Sequence, residues 1–217
     1  MPSATTESRS CSVAEILCLN SINWLEEHRN VGAIITSLPD KEETQQSTDD
    51  WTEWFINATV KCFQSTSPET ATILYQTDRK LEGIWLSKAY LIQKAAEIAQ
   101  TRLLWHKIVS RRAIGKRDIF RPGYSHLMAF SKSLRSGEAT PDLIDRGAVV
   151  YPNGTSIQAA ETALRFISNT TTQVVDPFCG RGTITALADA HGFKTIGIDI
   201  DPNQCSAARK LRFNPKK

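Results

Sequence analysis

No stretch of the sequence approaches the roughly 18 consecutive apolar residues of a membrane-spanning helix, so no membrane partner is expected. The five cysteines show neither the close spacing of a metal-binding set nor a pairing pattern, so no metal is expected. An odd count without an export signal points to free thiols in a reducing compartment: intracellular, cytoplasmic or nuclear. The opening MPSATTESRS has no apolar core and a single arginine, unlike a signal or transit peptide, and residues 1–10 are expected to form a disordered leader. Internal repeats and low-complexity tracts are missing too. What remains is an ordinary globular composition, 41% apolar and 23% charged, in a chain short enough for one core.

Strand-like and helical patterns alternate along that chain. The spacing of Val13, Ile16, Leu17, Ile22 and Leu25 predicts a helix over 12–24, and 31–35 reads as a short buried strand stopped by Pro39. Residues 41–50 are polar and are expected to form a mobile loop. A helix over 51–62 follows, with Asp49 or Asp50 as its N-cap. Further strands are predicted at 71–76, 102–107 and 126–131, with a helix at 88–100 and a connector over 133–145. The remainder reads as helix 155–166, strand 173–176, helix 182–191, strand 195–200 and helix 202–211. This alternation implies an α/β fold: a single Rossmann-like domain with a mostly parallel central sheet and helices on both faces.

Val174–Thr183, VVDPFCGRGT, is the most informative stretch. Two valines make a buried strand that ends in Asp176, at the sheet edge where open α/β folds bind ligands. Gly180 and Gly182 permit a tight turn and a close backbone approach before a helix that starts near Thr183. The next strand ends at Asp199, an acid placed to accept hydrogen bonds from ribose hydroxyls. A dinucleotide site would need glycine at position 185, where Thr185 stands, and no phosphate-binding Gly-Lys-Ser/Thr is present. The loop therefore suits a ligand without phosphates.

Charge is also unevenly spread. Net charge is +3, but Arg102, Lys107, Arg111, Arg112, Lys116, Arg117 and Arg121 crowd one stretch with Asp118 as its lone acid. Such a run is either a solvated face or a phosphate-binding surface.

DPFCGRGT followed by IGIDIDPNQCSAARK resembles the cofactor region of the S-adenosylmethionine-dependent amino-methyltransferases that modify exocyclic amines of nucleic-acid bases, N4 of cytosine or N6 of adenine. The order resembles the permuted subgroup, in which the catalytic motif precedes the cofactor loop. Residues 32–40 (GAIITSLPD) resemble the catalytic strand and its (Asp/Ser)-Pro-Pro-aromatic end. Residues 103–107 and 121–132 resemble later family strands, and 155–167 the helix ahead of the cofactor loop. The resemblance implies a methyltransferase domain over 11–217: a catalytic motif at 32–40, a substrate region at about 102–150 and a cofactor region at about 151–217. It implies S-adenosyl-L-methionine as cofactor, held by Asp176, Pro177, Phe178, Gly180, Gly182, Thr183, Asp199 and Ile200. It implies catalytic roles for Ser37, Leu38, Pro39 and Asp40, with Ser37 Oγ and the Leu38 carbonyl holding the amine hydrogens.

The chain departs from that pattern in two places. Leu38 and Asp40 replace the first proline and the aromatic residue, and Asn153-Gly154 stands where the family has Lys-Pro. Without the aromatic stacking platform, Trp51 or Trp54 is a substitute, although helix packing is the stronger expectation for both. Asp40 is expected either to engage the amine or to cap the loop. Arg111, Arg112, Lys116 and Arg117 are the expected phosphate contacts on a nucleic-acid partner. A short substrate region favours recognition by shape, hence RNA slightly over DNA, with a protein partner or homodimer possible. Two other functions stay open: a non-catalytic partner subunit that keeps the fold, and a methyltransferase for a substrate other than nucleic acid.

Overall fold

The computed structural model describes residues 14–116, 119, 121–135, 137, 140–152 and 154–214. The expected leader and Arg117 lie outside them. In chain order the elements are β1 (Glu15–Cys18), α1 (Ser21–Glu27), β2 (Ala33–Thr36), α2 (Lys41–Thr44), α3 (Thr48–Ser65), β3 (Thr72–Gln76), β4 (Arg79–Leu81), β5 (Ile84–Leu86) and α4 (Lys88–Ile98). They continue as β6 (Arg102–Ser110), β7 (Tyr124–Ser131), β8 (Leu143–Asp145), α5 (Ile157–Ile167), β9 (Gln173–Asp176), α6 (Thr183–Ala190), β10 (Lys194–Asp199) and α7 (Pro202–Ala208).

Eight strands form one sheet in the order β1-β10-β9-β2-β3-β7-β6-β8. All run parallel except β7, which is antiparallel to both neighbours. The expected single-domain, mostly parallel α/β architecture is therefore observed. Helices cover both faces, so successive strand residues enter two different cores. Ile73, Tyr75, Leu127 and Ala129 face α5 and α6. Leu74, Met128 and Phe130 face α3 and α4. Helix α5 presents Ala159, Ala160 and Ala163 to the sheet, all fully buried, and small side chains there let the backbones approach closely.

The topology fixes where a ligand sits. From β2 the chain crosses through α2 and α3 to β3 on one side, and from β9 it crosses through α6 to β10 on the other. Since β2 and β9 are themselves neighbours, the connections diverge from adjacent strands. A crevice opens at their carboxyl ends, between Ser37 and Asp176.

Several local expectations are corrected. The predicted helix 12–24 is β1 followed by α1; residues 12 and 13 lie outside the described range. Asn20 causes the break: its carboxamide oxygen accepts from Ile22 N at 2.8 Å and caps a new helix. Ile16 and Leu17 instead pair beside Gly197 and Ile198 of β10. The predicted mobile loop 41–50 is helix α2 and the first turn of α3. Ser47, rather than Asp49 or Asp50, caps α3, its hydroxyl accepting from Asp50 N at 3.1 Å. Residues 79–86, just beyond the strand predicted at 71–76, form the hairpin β4–β5. Glu82 and Gly83 both have positive φ, the signature of the tight turn that suits a two-residue hairpin. Strand β6 runs on to Ser110, and β8 pairs with it inside the expected connector.

Candidate active site

The glycine loop is set by close contacts. Gly182 has φ +82° and stands at the start of α6, where an added Cβ would meet Ala208 Cβ at 2.8 Å. Gly180 has φ +52° and nothing within 4 Å of its Cβ direction, so its constraint is conformational. Asp199 braces the turn: one carboxylate oxygen accepts from Gly180 N at 2.9 Å and the other from Asp201 N at 2.9 Å.

Asp176 lies beneath this loop, 2% exposed. It accepts from Thr36 Oγ1 at 2.7 Å and from Phe178 N at 3.2 Å. Burial pushes its pKa up to about 7; those two hydrogen bonds oppose the rise and the Asp199 carboxylate adds to it. A buried carboxyl group facing another acid is suited to a cationic ligand.

Across the crevice, Thr36 ends β2 and Ser37–Asp40 form the next loop. Ser37 is half-buried and lines the crevice. The Leu38 side chain is buried in the α3–α4 core, while its carbonyl accepts from Gln76 Nε2 at 3.1 Å. Gln76 Oε1 accepts in turn from Lys88 Nζ at 3.1 Å, which fixes the orientation of the amide. Lys88, 1% exposed, also pairs with Asp40 Oδ1. Burial lowers the Lys88 pKa, and Asp40 opposes that shift. Arg121 reaches Asp40 Oδ2 at 2.8 Å and Arg79 stands 3.7 Å from the same oxygen. Three cations thus engage the Asp40 carboxylate, so its environment is that of an anchor for the loop. Trp51 is fully buried in the helical core, and Trp54 packs edge-on against Phe178.

Beyond β3, Asp78 accepts from Lys88 N at 2.8 Å and Trp85 Nε1 at 2.9 Å, and lies 3.2 Å from His126 Nε2. Burial alone would raise its pKa, but these contacts bring it below the usual carboxylate value. His126 Nδ1 meets His106 Nε2 at 2.9 Å. This network ties the base of β4–β5 to the central sheet.

The crevice has a volume of about 550 Å³. Among the expected site residues, Ser37, Leu38, Pro39, Asp40, Asp176, Phe178, Gly180 and Thr183 line it. Pro177, Gly182, Asp199 and Ile200 do not: Gly182 and Asp199 shape the loop from behind, and Ile200 points outward, 69% exposed. Gln76, Arg79, Arg121, Tyr151, Arg181 and Gln204 line it without having been singled out as site residues. Arg181 lies over the Tyr151 ring, 5.0 Å from its centroid. Of these, only Arg121 carried a signal, as a member of the basic run. Within that run, Lys107 is buried in β6, its ammonium donating to the Thr140 and Pro141 carbonyls. Arg111, Arg112 and Lys116 sit on the β6–β7 connection.

Residues 136–210 match the family model of the N6/N4 methyltransferases, described as DNA methylase. The matched segment holds Asp176, Gly180, Gly182 and Asp199, so it is in its cofactor region that the chain is similar to the S-adenosylmethionine-dependent amino-methyltransferases. Solved structures share its fold. The cytosine-N4-specific PvuII DNA methyltransferase superposes with a TM-score of 0.76 at 15% identity, covering 94% of this chain and 88% of its own. A candidate DNA modification methylase from Thermus thermophilus, in complex with S-adenosyl-L-methionine, gives 0.65 at 15% identity over 90% and 91%. The M1.HpyAVI complex with the same cofactor gives 0.59 at 16% identity over 92% and 100%. No curated protein sequence matches the chain significantly. No helix among the described residues is long and apolar enough to cross a membrane.

Proposed function

We propose that this protein is an S-adenosylmethionine-dependent methyltransferase that modifies an exocyclic amine of a nucleic-acid base, cytosine N4 or adenine N6, and that the base belongs to DNA. The observation that carries the reading is one crevice lined by Ser37–Pro39 on one wall and by Asp176 with the glycine loop on the other. The similar structures named as DNA methyltransferases favour DNA over the RNA expected from the short substrate region. The residues fit the cofactor. Asp176 is a buried acid without a cation among its contacts in the described residues, and Gly180, which lines the crevice and has open space where a side chain would stand, leaves room for a ligand. Bound there, S-adenosylmethionine supplies an electrophilic methyl group on a positively charged sulfur.

The chain's own residues then place the acceptor. An exocyclic amine is a weak nucleophile because its lone pair is delocalised into the ring. The Ser37 hydroxyl and the second lone pair of the Leu38 carbonyl accept the two amine hydrogens, which favours a pyramidal nitrogen in line with the methyl group. Lys88 and Gln76 hold that carbonyl, and Asp40 anchors the loop to Lys88, Arg79 and Arg121. Asp40 is thereby a positioning residue, not a base.

A second reading is a cofactor-binding but non-catalytic partner. It draws on the burial of Asp40 in ion pairs, which leaves no aromatic platform at that position. The deciding experiment incubates the protein with methyl-labelled cofactor and separate pools of DNA, transfer RNA and ribosomal RNA, followed by nucleoside mass spectrometry. N4-methylcytosine or N6-methyladenine in DNA supports the proposal. Label in RNA alone, or in none of the pools, overturns it.

A further inference from the structure

Hairpin β4–β5 leaves the sheet directly after β3, at the carboxyl edge where the crevice opens. Its register pairs Arg79 with Leu86, Lys80 with Trp85 and Leu81 with Ile84. Alternation puts Arg79, Leu81, Ile84 and Leu86 on one face and Lys80 with Trp85 on the other. Arg79 lines the crevice and contacts Asp40 and Glu42, so its face is the one turned to the site. Leu86 on the same face packs into the α3–α4 core. Two residues further out, about 7 Å along the strands, Leu81 and Ile84 form the tip, with Ile84 73% exposed. The base is fixed: Trp85 Nε1 donates to the buried Asp78 carboxylate at 2.9 Å. Leu81 is partly buried, but Ile84, exposed on an anchored ribbon, has no folding reason to be apolar.

Its surroundings identify the occupant. Lys80 lies over the Trp85 ring, 5.3 Å from the centroid, on the outer face. The β6–β7 connection, with Arg111, Arg112 and Lys116, rises from the same edge, joined to the end of β3 by Thr77 Oγ1 and Ser125 Oγ at 2.6 Å. An exposed aliphatic side chain beside the Glu82–Gly83 turn, with Lys80 on the opposite face of its ribbon and the basic connection on the same sheet edge, suits a polyanion with flat apolar rings. We infer that the Leu81–Ile84 tip is a wedge that stacks against the nucleotide neighbouring the target base. It replaces the stacking that the target base gives up on leaving the helix, and the cations hold the flanking phosphates. The inference rests on the proposed nucleic-acid function and assigns that substrate a second contact surface.

The test compares wild-type protein with Ile84→Ala and Leu81→Ala/Ile84→Ala. The probe is a fluorescein-labelled deoxyoligonucleotide of mixed sequence, offered as single strand and as duplex. Removing the apolar stacking surface should weaken binding about five- to thirty-fold. Cofactor affinity and molecular mass in solution should stay unchanged. If wild type binds and the variants bind equally, the wedge is refuted while the proposed function stands. If wild type binds neither form, the functional reading fails and the wedge with it. A change in oligomeric mass on substitution would assign the tip to a protein interface and overturn the inference.

Discussion

Replacing Asp176 with Asn tests the electrostatics of the cofactor pocket most directly. The carboxyl group is buried, and its pKa rises from the ordinary 3.8 to about 7. Asparagine keeps the shape, and its carboxamide oxygen can still accept from Thr36 Oγ1 and Phe178 N, so only the ionisation is lost. Well below the ordinary value of 3.8 the acid is protonated in both folded and unfolded chains, and burial costs nothing in charge. As pH rises from about 4 to about 7, the unfolded chain releases the proton and the folded chain keeps it, so wild-type stability falls. At about 1.4 kcal/mol per pKa unit, the loss is about 4 kcal/mol, complete above pH 7. Urea unfolding of both proteins at pH 4.5 and pH 8, each value extrapolated to water, gives the difference. The Asp176→Asn protein should gain on wild type by most of that amount between the two pH values, because other titrating groups cancel in the comparison. A cationic ligand favours the ionised form, so wild-type affinity for S-adenosylmethionine should fall below pH 7, and that of Asp176→Asn should be weaker with less pH dependence. Parallel stability curves, within about 1 kcal/mol of each other, would refute the account of a buried, unpaired acid.

The other predictions concern the loop, the acceptor and the polyanion surface. Asp40→Asn leaves the buried Lys88 ammonium without its anion and should cost about 3–5 kcal/mol. Lys88→Met should cost less, because Asp40 keeps Arg121 and Arg79; thermal unfolding in the opposite order would contradict the ion-pair geometry. Ser37→Ala should lower turnover with cofactor affinity unchanged in calorimetry, since it displaces the acceptor rather than the donor. Asp199→Ala should weaken cofactor binding by loosening the Gly180 turn that its carboxylate braces; wild-type affinity in a folded variant would remove Asp199 from the site. Reversing Arg111, Arg112 and Lys116 to Glu should weaken nucleic-acid binding and lower its salt slope by about one for each phosphate no longer neutralised. Unchanged titrations at two salt concentrations would leave that stretch a solvated face.

Local sequence was enough where short-range chemistry decides the outcome. The valines before Asp176, the glycines at 180 and 182 and the acid at 199 specify strand, turn and next strand within one crossover, and the structure contains all three. Alternation of strands and helices likewise determined the sheet class, since a parallel sheet needs helical crossovers. Local pattern failed where two periods share one short apolar segment. Ile16 and Leu17 suit either a helix or a strand, and only the pairing with β10 decides. It failed again at 79–86, where a Glu-Gly turn is recognisable only once both flanking triplets are known to pair. The role of Asp40 was out of reach for a different reason. Its partners Arg79, Lys88 and Arg121 come from three separate elements, and no spacing rule joins position 40 to position 121. The adjacency of β2 and β9 is of the same kind: it rests on hydrogen bonds between segments far apart in the chain, and it alone brings the Thr36 hydroxyl to the Asp176 carboxylate. The sequence determined the chemistry of each half of the site, and tertiary contact decided that the halves face one another.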